Sequence, residues 1–160
     1  MATGSGPINL TGLNFLGLSV GGPNLLPIGG VIVTGTTSAI DIYTGFTGPT
    51  SFGSGPTRFA NSGSGDTVGE LGSLELDVPH GYVSGTALSD RATYDNATFA
   101  SLGVIPGTYE WTWGTGLPNQ NFTLIIGRAG VPDGGSTVSL LGFALLGLAA
   151  LRRKLRGKTS

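Results

Sequence analysis

The sequence predicts an all-β body, a jelly-roll-like β-sandwich, followed by a single C-terminal transmembrane helix. Three observations carry that expectation. Glycine supplies 30 of the 160 residues and charged side chains only 11%, against about 7% and about 25% in ordinary soluble domains. Short apolar stretches alternate at a period of two between Gly-, Pro- and Thr-rich punctuation, the pattern of half-buried strands separated by turns. Residues 138–151 then run fourteen positions without a charge, directly ahead of five basic side chains.

Taken in order, residues 8–20 (INLTGLNFLGLSV) alternate loosely and predict a strand pair or an irregular β segment. Pro23, Pro27 and the glycines of residues 21–30 predict a loop. Residues 31–34 (VIVT) and 39–43 (AIDIY) predict two short strands, with 35–38 as the turn between them. Residues 44–65 form the least regular stretch. Phe46, Phe52 and Phe59 recur there at spacings matching neither helix nor strand, and are expected to pin a long surface loop.

Leu74, Leu76 and Val78 alternate with Glu75 and Asp77, predicting a strand that ends at Pro79 with its carboxylates in solvent. A second strand is expected over 80–88, and further segments over 91–94 and 97–104, joined by Asp95 and Asn96. The clearest β signal is GTYEWTWG at 107–114, which puts Tyr109, Trp111 and Trp113 on one face. TGLPNQ (115–120) is its turn into NFTLIIG, whose Phe122, Leu124 and Ile126 face the same core. The pair predicts an antiparallel hairpin.

Charge divides the chain. Residues 1–130 hold three arginines against eight acids, whereas the last thirty hold five basic residues against Asp133 alone. An acidic body lacks the basic footprint that nucleic acid requires, so no nucleic-acid partner is expected. Cysteine is absent, which removes disulfides and thiol chemistry.

As a helix, 138–151 spans about 21 Å against a hydrocarbon core of about 30 Å. Neighbouring small residues and snorkelling arginines bring it near the lower limit for crossing. Its leucines point all round the helical wheel instead of along one stripe, which suits lipid better than a water-facing surface. The basic cluster Arg152, Arg153, Lys154, Arg156 and Lys158 acts as a stop-transfer signal and holds the terminus on the cytoplasmic side. The expected organisation is therefore a body over 1–127, a linker over 128–137, a transmembrane helix over 138–151 and a cytoplasmic tail over 152–160.

Ahead of the helix stand Val131, Pro132, Asp133, Gly134 and Gly135. Proline removes an amide hydrogen and extends the residue before it, and the two glycines loosen the entry to the helix. Such a peptide stays accessible at a membrane surface. Motif, apolar run and Arg-rich end together resemble the PEP-CTERM family of sorting signals, most closely the VPDSG-CTERM-like variant, which usually has Ser where Gly134 stands. The resemblance covers about thirty residues. It implies export, temporary anchoring in the bilayer, and recognition of the motif by an exosortase, a membrane transpeptidase, in a Gram-negative bacterium that makes exopolysaccharide. The destination it implies is the cell surface or extracellular matrix, by way of the inner membrane. Residues 97–127 also resemble a stretch often found just before this tail. An exported chain is expected to begin with a basic, then apolar leader; residues 1–22 contain no basic side chain, so a leader is expected upstream.

Other chemistry has weak support. His80 is the sole histidine and has Asp77 nearby, but no nucleophile elbow accompanies it. Glu75 and Asp77 share a face that reads as solvated. The SGSGD stretch at Asp66 lacks the repeat that Gly/Asp-rich calcium loops need. Tyr109, Trp111 and Trp113 offer flat faces on which a sugar ring of exopolysaccharide could stack, although strand aromatics at period two more commonly form core. Neither enzymatic activity nor a cofactor is expected. The function expected is a structural or adhesive surface protein, the alternatives being a carbohydrate-binding module or a permanent single-span membrane protein.

Overall fold

Antiparallel pairing accounts for every paired strand in the described part of the chain. The structure, a computed structural model, describes residues 1–127. The linker with its motif (128–137), the apolar run (138–151) and the basic tail (152–160) lie outside the described residues. Among those described, no helix is long and apolar enough to cross a membrane.

The chain opens with β1 (Ala2–Pro7), β2 (Asn14–Gly21) and β3 (Asn24–Leu26), then β4 (Val31–Thr34) and β5 (Ser38–Thr44). After a long loop come β6 (Arg58–Phe59), β7 (Ser62–Gly65), β8 (Val68–Leu71) and β9 (Glu75–Pro79). β10 (Ala87–Thr93), the short helix α1 (Phe99–Leu102), β11 (Gly107–Thr112) and β12 (Asn121–Ile126) complete it. Seven strands form one sheet in the order β2-β5-β9-β8-β4-β3-β6, three form a second in the order β1-β10-β7, and β11 pairs with β12.

Alternation explains the large sheet. Leu25, Ile32, Val68, Leu76 and Val78 point to one side, where they share a core with Leu88 and Ala92 of β10 and with Trp111 and Ile126 of the hairpin. Asp90 bonds across this junction, accepting a hydrogen bond from the Thr34 hydroxyl at 2.5 Å. An all-β body is therefore observed. The hairpin forms as expected, Trp111 opposite Phe122 and Tyr109 opposite Leu124.

Several expectations are corrected. VIVT and AIDIY are strands but do not pair with each other: β4 lies between β8 and β3, and β5 between β2 and β9. Residues 21–30 are not merely loop, since they contain β3 and a short 3-10 turn at Pro27–Gly29. The strand expected over 80–88 is absent until β10 begins at Ala87. Gly81 and Gly85 take positive φ ahead of it, and the Tyr82 hydroxyl holds the turn by accepting from Ile8 N at 3.0 Å and donating to Thr86 O at 2.6 Å. Within residues 97–104 only Val104 pairs, in a lone antiparallel bridge to Gly53, and Phe99–Leu102 form a helical turn capped by Thr98: its hydroxyl accepts from Ser101 N at 3.1 Å, and Thr98 N donates to the Ser101 hydroxyl at 2.8 Å. Phe46 and Phe52 pin the 44–57 loop as anticipated, while Phe59 is 79% exposed.

Candidate functional site

The residues able to carry chemistry in the described body fall on the two faces of the large sheet and on one turn. On the core face, Trp111 is fully buried. Its indole N–H donates to Pro49 O at 3.0 Å, and the Trp113 N–H donates to Asn9 O at 2.7 Å. Edge-to-face packing fills the remaining surface: Trp111 against Phe122, and Trp113 against Phe46. Tyr109 is half-buried and packs edge-on against Phe52. These three side chains are thus core and near-core, and the indole faces are closed to a sugar ring.

His80 pairs with Asp41, not with Asp77: its Nδ1 lies 2.8 Å from Asp41 Oδ1. That hydrogen bond, reinforced by one from Gly81 N at 2.9 Å, holds the Asp41 carboxyl below its usual range against the opposing effect of burial. The pair, with Gly81 N, clamps the turn that follows β9. Asp66 uses its carboxylate structurally, accepting from Ser89 N at 2.8 Å. Among the described residues, no group of three or more His, Cys, Asp or Glu is placed to hold a metal.

Two carboxylates are buried where solvated ones were expected or overlooked. Glu70 shares the core face with Val68 and has no solvent exposure. Burial pushes it up to about 8, against hydrogen bonds from Ser73 and Gly72 that pull it down. Asp77 lies on the opposite face, only 3% exposed, and burial, with the charge of Glu75 adding, pushes it up to about 7. The reading of Glu75 and Asp77 as a solvated face is therefore corrected: on β9, flanked by β5 and β8, Asp77 is buried and Glu75 half-buried. A signal for Glu70 was present, because in a strand over 68–71 the period of two places it beside Val68.

The sorting residues Val131, Pro132, Asp133, Gly134 and Gly135, and the basic cluster Arg152, Arg153, Lys154, Arg156 and Lys158, lie outside the described residues. Residues 130–155 match the VPDSG-CTERM motif, a PEP-CTERM-like exosortase sorting signal. No curated protein and no solved structure matches the chain.

Proposed function

We propose that this chain is an exported cell-surface or extracellular-matrix protein of non-enzymatic, structural or adhesive role, delivered by exosortase through its VPDSG-CTERM motif. The match at residues 130–155 carries the reading. In it, Val131, Pro132, Asp133, Gly134 and Gly135 are the peptide the transpeptidase recognises, 138–151 is the temporary anchor, and Arg152, Arg153, Lys154, Arg156 and Lys158 stop transfer through the inner membrane. The charge asymmetry supports this topology, since basic residues are retained on the cytoplasmic side. An apolar run short for a permanent span supports transience.

The body is read as a jelly-roll-like β-sandwich. Leu88 and Ala92 of the three-stranded sheet packing into the same core as Leu76 and Val78 support two layers. A low-charge, cysteine-free β body suits a passive component of an exopolysaccharide matrix.

The test is to attach residues 128–160 to an exported reporter in a Gram-negative host that makes an exosortase. The reporter is expected first in the membrane fraction and then at the surface, with an intact mass lacking the Arg-rich end. Replacing Pro132 and Asp133 by alanine is expected to trap the precursor in the membrane. A mature surface protein that still carries the basic tail would replace this reading with a permanent single-span anchor, and a reporter indifferent to the bilayer would remove both.

A further inference from the structure

The face of the seven-stranded sheet turned away from the main core carries a groove of about 550 Å³ to which every strand of the sheet contributes. One cross-strand row crosses it: Ile42 opposite Asp77, Asp77 opposite Gly69, Gly69 opposite Val33, Val33 opposite Asn24, and Asn24 opposite Phe59. Gly69 contributes no side chain, and Val33 fills the space beside Asp77, its Cγ2 2.6 Å from where a Cβ at 69 would stand. In the adjacent row Glu75 stands opposite Leu71, on the same face.

Asp77 is the unusual member. Its residue is buried, yet Oδ1 has no hydrogen-bond partner among the described residues. Buried carboxylate oxygens are nearly always satisfied, and an exception calls for a physical reason. No Lys, Arg or His lies among the described residues lining the groove, so nothing in the body neutralises Asp77 and Glu75. Beside them Ile42 and Leu71 are half-buried aliphatic side chains, Val33 and Ile40 are buried, and at the far edge strand the ring of Phe59 stands in solvent.

We propose that this groove binds a small organic cation, an ammonium group carried on an aliphatic body. The ammonium N–H groups donate to Asp77 and Glu75, supplying the partner that Oδ1 lacks. The methylenes lie on the half-buried side chains of Ile42 and Leu71, removing apolar surface from water. A hydrated divalent ion would gain only two carboxylates and forfeit the apolar walls. A neutral alcohol would leave the acidic pair uncompensated.

The test titrates n-butylammonium chloride into the full chain in nonionic detergent at pH 8, following backbone amide shifts, with n-butanol and sodium chloride as controls. Saturable shifts are expected at Ile42, Gly69 and Val33 for the ammonium alone. Asp77→Asn is expected to weaken binding at least tenfold. Should that variant not fold, Glu75→Gln, altering the half-buried carboxylate two residues away on the same strand, is expected to weaken it severalfold while leaving the fold intact. Equal responses to n-butanol, undiminished binding in Asp77→Asn or, in its place, in Glu75→Gln, or the absence of any saturable shift would each overturn the assignment. Because the readout concerns the body alone, its failure leaves the sorting reading untouched, and the converse holds.

Discussion

The indole nitrogen of Trp111 lies 3.1 Å from the hydroxyl oxygen of Ser73, so the hairpin that closes the body is bonded to the turn between β8 and β9. Ser73 in turn reaches Gly48 O at 2.9 Å and Pro49 O at 3.0 Å. A glycine at 48 is required there, since a Cβ would sit 2.4 Å from Cδ1 of Trp111. One side chain thereby joins the hairpin, the long 44–57 loop and the large sheet.

Trp111→Phe keeps most of the apolar area but removes the donor shared by Pro49 and Ser73. It is expected to cost about 1–3 kcal/mol, the usual penalty for unpaired buried polar groups. Trp111→Ala adds a cavity and is expected to cost about 3–5 kcal/mol. Urea denaturation of the full chain, followed by far-ultraviolet circular dichroism, measures both. If Trp111→Phe matched the parent, the hydrogen bonds would contribute nothing and the ring alone would matter.

Glu70 gives the body an acid-leaning stability profile. Its pKa is raised in the folded state to about 8 by burial, whereas in the unfolded chain it titrates near its ordinary value. Between those two values the folded state holds a proton that the unfolded state has released, so stability falls as pH rises. The contribution is complete below the unfolded pKa and is lost as pH climbs through about 8. Asp77, raised to about 7, and Asp90, also raised by burial, act in the same direction. Asp41 acts oppositely: its stabilisation is present above its unfolded pKa and is lost as pH falls through its lowered folded value. Three raised groups oppose one lowered group, so the melting temperature is expected to be higher at pH 5.5 than at pH 8.5. Glu70→Gln keeps the shape without the ionisation and is expected to flatten much of the slope. A parent chain equally stable at both pH values would remove the basis for a protonated Glu70.

Strands that announce themselves do so through side chains. VIVT, AIDIY and the Tyr109–Trp111 alternation each expose a period of two, and all three became strands. β1 and β7 read ATGSGP and SGSG; with almost no apolar side chains they carry no periodic signal, and they exist because β10 offers hydrogen-bonding partners on both edges. Pairing order was likewise hidden, because β4 and β5 are neighbours in sequence but find their partners elsewhere in the sheet. Asp77 looked solvated because polar residues alternating with leucines usually face water. Here β9 lies between β5 and β8, and Asp77 is buried between their side chains. The sorting motif was legible by another route, since its order of motif, apolar run and basic end is linear and needs no tertiary structure to recognise.

Gly63 marks where the two larger sheets meet backbone to backbone. A Cβ there would lie 1.8 Å from the carbonyl oxygen of Gly35 and 2.9 Å from Cγ of Pro23. Gly35 follows β4 with φ near +92°, and its N–H donates to Arg91 O at 3.2 Å, so it cannot simply move aside. Gly63→Ala must therefore separate β7 from the end of β4, and is expected to cost at least about 2 kcal/mol, at the upper end for overpacking. Gly17 is the control. It sits on the edge strand β2 beside a register shift, with nothing within 4 Å of a built Cβ and an ordinary φ. Gly17→Ala is expected to change stability by no more than about 0.5 kcal/mol, as surface substitutions usually do. Denaturation midpoints of the two variants, read at constant m-value, decide the matter. Equal midpoints would mean that the approach of β7 to Gly35 is not a feature of the folded chain.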